Sequence, residues 1–180
     1  MTIKIALVAL SCTALLAGCS TMTPEAALVK TLAQATLTNG SGVAVGKATI
    51  ESVGASVYLV ASVSGQTPGV HGIHLHSAGK CEGPGFSTAG GHLNPNAHQH
   101  GTLNPSGPHL GDLPNIEISA DGAGTMKAPL TMISEQLLGA VFDADGAAVV
   151  LHAGPDDYKT DPSGNSGGRI ACGVLSATSQ

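Results

Sequence analysis

Val43-Ala-Val-Gly-Lys-Ala-Thr-Ile-Glu-Ser52-Val-Gly-Ala-Ser-Val57-Tyr-Leu-Val-Ala-Ser62 holds two short apolar runs, 43–52 and 57–62, separated by a tight turn. Upstream, Ala33 to Leu37 is followed by the turn signal Asn39-Gly-Ser-Gly42; downstream, Gly65-Gln-Thr-Pro-Gly69 leads into Val70 to His76. Strands at this spacing, joined by two-to-five-residue turns, predict an antiparallel meander in an all-β domain. Asn115 to Ala120 and Thr125 to Leu130 flank Asp121-Gly-Ala-Gly124 as a further hairpin. Ala147 to His152 and Arg169 to Leu175 read as the last two strands, and the only helix-like piece is Ile133 to Leu138.

Composition agrees. Only 11% of residues are charged, which excludes a long charged helix, and 25 Gly with 10 Pro demand many turns. A hydrophobic content of 42% suffices for one core, so a single β-rich domain is expected. The net charge of −5 and the scarcity of aromatic side chains, two Phe, two Tyr and no Trp, speak against nucleic-acid binding.

The first residues carry an address. Lys4 gives a cationic start, Ile5 to Leu16 is apolar but too short to span a bilayer, and Leu16-Ala-Gly-Cys19 resembles the lipobox of bacterial lipoproteins. The alternative is an ordinary secretory signal that contains Cys19. On the lipoprotein reading, residues 1–18 are a signal peptide, Cys19 is lipidated, 19–30 is a tether and 31–180 the domain. The protein would then face the periplasm in the cell envelope, touching the membrane only through its lipid. Loss of Lys4 with the leader takes the net charge from −5 to −6. Cys81 and Cys172 remain as the free pair, expected to join in an oxidising compartment; the alternative is two buried thiols. Such a bond would close a loop of ~90 residues, worth about 4 to 5 kcal/mol in the chain-entropy account.

Two stretches, Ser77 to Pro114 and Ala153 to Gly168, break the strand rhythm, and loops of such length are functional or disordered. The first contains four of the eight histidines, His92, His98, His100 and His109. His74 and His76, two apart on a strand, share a face, whereas His71 lies at odd spacing and reads as structural or solvent-facing. With His152 at the end of an apolar strand and Asp112 in the loop, six histidines and a carboxylate gather in a pattern that suits copper and zinc.

Gly72-Ile-His-Leu-His76, Gly90-Gly-His-Leu-Asn-Pro95, His100-Gly101, Gly107-Pro-His-Leu-Gly-Asp-Leu-Pro114, Leu151-His-Ala-Gly-Pro-Asp-Asp157 and Gly164-Asn-Ser-Gly-Gly-Arg-Ile-Ala-Cys-Gly-Val174 resemble, in order, the signature segments of copper/zinc superoxide dismutases. The resemblance covers Ala33 to Leu175. Together with the strand count it implies an immunoglobulin-like Greek-key β-sandwich, or flattened barrel, with two long functional loops. It further implies copper on His74, His76, His92 and His152, and zinc on His92, His100, His109 and Asp112. His92 would bridge the ions, with Asp156 as an outer carboxylate bonded to one ligand of each. His98 competes with His100 for zinc, and the following Gly101 favours His100. Cys81 and Cys172 match the family disulfide.

Arg169, the sole arginine, would hold an anion beside copper rather than form a surface ion pair. Lys159 and Ser163 are candidates for the channel wall. The substrate implied is the superoxide anion, which a net-negative protein must steer by local field. In the family's mechanism the His92 bridge releases copper on reduction and carries one proton. A copper-delivery module on the same fold would be expected to lose Arg169, His92 or the zinc set, all of which are present; a structural or adhesive role would need exposed aromatic or charged patches. A monomer and a homodimer both fit this composition.

Overall fold

The computed structural model describes residues 28–130 and 134–178. Three strands, β1 (Val29–Asn39), β2 (Ala44–Val53) and β3 (Ser56–Val63), form the expected meander. Its first turn is fixed by Asn39, whose Oδ1 accepts the amides of Ser41 and Val43, both at 3.0 Å. β4 (Gly69–His71) and β5 (Ile73–His76) follow, then β6 (Ile116–Ile118), β7 (Gly124–Leu130), helix α1 (Ser134–Val141), β8 (Ala148–His152), β9 (Arg169–Val174) and β10 (Ser176–Ala177). The strands run in the order β4-β6-β7-β3-β2-β1-β9-β8-β5, every pair antiparallel, with β10 on β1.

The two ends of that order, β4 and β5, are consecutive in the chain, so one run from Gly69 to His76 closes the sheet into a barrel. The β6–β7 hairpin lies between β3 and β4, which makes the β3–β4 connection a Greek-key crossing. Gly72 is the joint. Its amide donates to Gly154 O and its carbonyl accepts from His152 N, both at 2.8 Å. A Cβ there would lie 3.0 Å from Ser166 Cβ and 3.2 Å from His74 Cε1, so a larger residue would press on the second long loop and a histidine together.

Alternation fills the barrel. Along β3, Val57, Leu59, Ala61 and Val63 are buried while the residues between them are half-buried. They meet Ala33, Ala35 and Leu37 of β1, Ile50 of β2, and Ile73 and Leu75 of β5 in one core. β8 is buried on both faces. Its Val149 and Leu151 enter that core, whereas Ala148 and Val150 pack with Phe86, Ala89 and Cys172 under the first long loop. His74 pairs with Val150 and His76 with Ala148, so both histidines share this outer, loop-covered face. The Cys81–Cys172 disulfide ties the covering loop to β9.

Several edges differ from the sequence expectation. β1 begins at Val29 and takes up two residues assigned to the tether, because Val29 and Lys30 pair with Val53 and Ser52. The single strand expected over 70–76 is split at Gly72. The short helix runs on to Val141, burying Leu137 and Val141 one turn apart; Ile133 lies outside the described residues. The two-residue β10 has no signal in sequence. The leader and Cys19 also lie outside the described residues, among which no helix is long and apolar enough to cross a membrane.

Candidate metal centre

Each histidine of the outer face is held by one ring nitrogen. His74 Nε2 donates to Asp156 Oδ2 at 2.8 Å, His76 Nδ1 to Gly90 O at 3.0 Å and His152 Nδ1 to Gly167 O at 3.3 Å. Carboxylate and carbonyl oxygens only accept, so these contacts fix the tautomers and leave the lone pairs on His74 Nδ1, His76 Nε2 and His152 Nε2. These three atoms and His92 Nε2 are buried without a hydrogen-bond partner. The ligand nitrogens of the four rings lie within 4.8 Å of one another. Orphaned, convergent imidazole nitrogens are the donor set that a copper ion takes.

His92 has a second neighbourhood. The Nδ1 atoms of His92, His100 and His109 stand 2.8, 2.9 and 3.2 Å from a single oxygen, Asp112 Oδ1. Three imidazoles and a carboxylate are a tetrahedral zinc set, again within 4.8 Å. Asp112 Oδ2 accepts the amides of Gly101 and His109 at 2.8 and 2.9 Å. Burial opposes its charge, but the His92 and Gly101 bonds, with His100 and His109 nearby, hold its carboxyl well below the usual range. His92 thus turns Nε2 to one cluster and Nδ1 to the other.

Asp156 joins the clusters from behind. Its Oδ2 accepts from His74, and its Oδ1 accepts from His100 Nε2 at 2.9 Å and Tyr158 N at 2.7 Å. Burial would raise this carboxyl, but the bonds from His74 and His100 keep it below its ordinary value. Gly164, at φ +64°, lets the second loop pass so close that a Cβ would collide with Asp156 Oδ1.

Arg169 is half-buried. Its Nη1 and Nη2 donate to Phe86 O and Gly90 O, both at 2.6 Å, so the guanidinium is fixed from behind. Gly90 O also accepts from His76, linking the cation to the first cluster through one oxygen. A cavity of about 540 Å³ opens over His76, His92, His152 and Arg169 and is bounded farther out by His98 and Asp161.

Ser163 lines this cavity, but Lys159 is not in its wall; the loop is bent there by Asp157, whose Oδ1 accepts the amides of Lys159 and Thr160. His98 is exposed and stands outside the zinc set, its Nδ1 on Pro108 O at 2.9 Å. His71 is buried rather than solvent-facing, its ring nitrogens 2.8 Å from His152 O and 3.0 Å from Thr67 O.

Two contributors escaped sequence reasoning. Asn115 brackets the Asp156 backbone, accepting its amide with Oδ1 and donating to its carbonyl with Nδ2, both at 2.9 Å. Asp161 Oδ1 accepts the His100 amide at 2.7 Å. A lone Asn after Leu-Pro and an acid before proline carry no metal-site signature.

The family model described as copper/zinc superoxide dismutase (SODC) matches residues 44–175. The chain is 40% identical over 146 residues to a Cu-Zn superoxide dismutase of Aquifex aeolicus, covering 79% of this chain and 85% of the relative. It is 42% identical over 147 residues to that of Caulobacter vibrioides, covering 79% and 84%. Among solved structures it is similar to a superoxide dismutase-like protein from Bacillus subtilis (TM-score 0.72, 39% identity, covering 78% of this chain and 96% of that one). It is also similar to the Cu/Zn superoxide dismutase of Brucella abortus (TM-score 0.64, 26% identity, covering 82% and 99%).

The site predicts an acid sensitivity of the metal-free fold. Burial, above all, lowers His76 to about 2, His152 to about 3 and His92 to about 4. The unfolded chain protonates these rings near pH ~6.5. Their contribution is therefore complete above that pH and is lost as pH falls toward the folded values, with a limiting slope of about 1.4 kcal/mol per pH unit per imidazole. Asp112 and Asp156, both depressed, act in the same direction below the carboxylate range. The urea midpoint of the metal-free, disulfide-intact protein should fall steadily from pH ~6.5 to ~4.5; a constant midpoint would contradict the buried neutral cluster.

Proposed function

The chain belongs to the copper/zinc superoxide dismutase family, and from this premise we propose how its residues divide the work. The reaction converts superoxide to oxygen and hydrogen peroxide, with copper as the redox ion and zinc in a structural and electrostatic role. When bound, copper supplies the one-electron exchange, accepting an electron from one superoxide and returning it to a second.

His74, His76, His92 and His152 hold copper, and His92, His100, His109 and Asp112 hold zinc. The observation that carries this reading is the convergence of four orphaned ring nitrogens beside a carboxylate-and-imidazole set that shares His92. Asp156 keeps His74 and His100 in the tautomers that present Nδ1 inward, and so couples the two sites. Whenever its Nε2 lone pair is not engaged by the ion, His92 would carry there one of the two protons that leave with peroxide.

Arg169 binds the anion. Its two bonds to backbone carbonyls point it over the cavity, and the N–H groups they leave unused can meet the substrate. A fixed cation in a concave wall focuses field where the net charge of the chain would repel.

Residues 1–18 act as a lipoprotein signal and Cys19 as the acylated anchor of an envelope protein facing the periplasm, with a short tether leading into the domain. Support comes from Lys4, the apolar Ile5–Leu16 stretch and the Leu16-Ala-Gly-Cys19 sequence. The Cys81–Cys172 bond also suits an oxidising compartment.

Loaded with one copper and one zinc, the purified mature protein should dismutate superoxide. Arg169→Ala should slow it about tenfold and flatten its dependence on ionic strength; pulse radiolysis across a salt series reads both, and an unchanged rate would remove Arg169 from catalysis. For the anchor, cells expressing the full chain should incorporate [³H]palmitate into it, and Cys19→Ser should abolish the label. An unlabelled parent protein would refute lipidation.

A further inference from the structure

Six of the eight histidines belong to the metal sets and His71 braces the backbone of His152, which leaves His98 without a task. Its surroundings give it one. The nitrogens that receive copper are buried: His74, His76 and His152 are each at most 2% exposed. An incoming ion must shed its water and reach them through the cavity whose inner wall includes His76, His92 and His152. His98 stands in the wall of the same cavity, and it is exposed to solvent.

The ring is also held. Asn94 brackets the His98 backbone, its Oδ1 accepting the amide at 3.0 Å and its Nδ2 donating to the carbonyl at 2.9 Å. Nδ1 donates to Pro108 O at 2.9 Å. Because a carbonyl only accepts, this contact places the proton on Nδ1 and the lone pair on Nε2. Nε2 has no hydrogen-bond partner among the described residues. A pinned surface imidazole offering an unused nitrogen is a preformed single ligand for a borderline or soft divalent ion.

The electrostatics of the cavity favour the same end. Arg169 alone would repel a cation, but Asp161, with its side chain 49% exposed, brings a carboxylate to the same wall. The outer part of the cavity is therefore more hospitable to a cation than the part beneath the guanidinium.

We propose that His98 is an outer docking ligand for copper(II), which captures the ion at the cavity mouth and passes it to His76, His92 and His152. The proposal rests on the copper-site reading given above. Capture would act by raising the concentration of the ion next to the buried ligands, so its signature is the rate of filling rather than the final occupancy.

The test uses the mature, disulfide-bonded protein loaded with zinc and free of copper, mixed with copper(II) in a stopped-flow instrument and followed by the copper absorbance. His98→Asn deletes Nε2 but keeps an amide donor for Pro108 O, so the loop retains its tie. It should slow uptake about fivefold or more, on the scale of an effective-concentration effect, and still reach one copper per chain. Uptake by His98→Asn as fast as by the parent would overturn the role of His98 while leaving the copper site intact. A parent that takes up no copper would instead overturn the copper site. As an independent readout, copper(II) added in trace amounts to protein carrying diamagnetic zinc in both sites should selectively broaden the His98 ring resonances in NMR spectra. Resonances indifferent to copper would also defeat the proposal.

Discussion

A buried polar atom without a partner costs about 1–3 kcal/mol, and four such atoms, His74 Nδ1, His76 Nε2, His92 Nε2 and His152 Nε2, meet in one small volume. That cost is what the rest of the structure is arranged around. Each ring is pinned from behind by an acceptor, so none can turn its lone pair to an alternative partner without breaking a bond to Asp156, Gly90, Asp112 or Gly167. The fold therefore holds a destabilising cluster in place, and an ion that binds it returns free energy to the folded state.

The barrel makes this affordable. Its own core lies inside, with Ile73 and Leu75 packed among the other strands, so the alternate residues of β5 are free to carry function on the outer face. Closure at Gly72 brings β5 beside β8 and sets His74, His76 and His152 together before either loop contributes anything. The loops then add ligands that have no strand to position them. Asp112 organises the first by collecting backbone amides, and Asp156 locks the second against the first through His74 and His100. The disulfide keeps the covering segment, with its Phe86 and Gly90 carbonyls, where Arg169 can use it.

Much of this was legible in the sequence because strand periodicity is a local property. The pairing of His74 with His76 on one face and the meander from β1 to β3 follow from residue spacing alone. The metal sets were legible only through the resemblance of whole motifs, since nothing local connects His92 with His152. What stayed hidden depends on backbone atoms and on neutral side chains. The carbonyls that hold Arg169 have no residue-type signature, and Asn115 acts through a bidentate grip on the Asp156 backbone. His71 was ambiguous because parity told which way it does not face, but not that Thr67 O and His152 O would enclose it. Lys159 and Ser163, both of the second loop, are equal candidates for the channel wall in sequence, but the turn around Asp157 leaves only Ser163 in it.

The central claim is that His92 serves two ions at once, through Nε2 on one side and Nδ1 on the other. Electron paramagnetic resonance of the reconstituted protein, recorded with metal analysis before and after selective removal of zinc, tests it most directly. The account predicts one copper and one zinc per chain, and a copper signal whose hyperfine pattern changes when His92 Nδ1 loses its zinc. A chain that retains only one ion, or a copper signal indifferent to zinc, would contradict it.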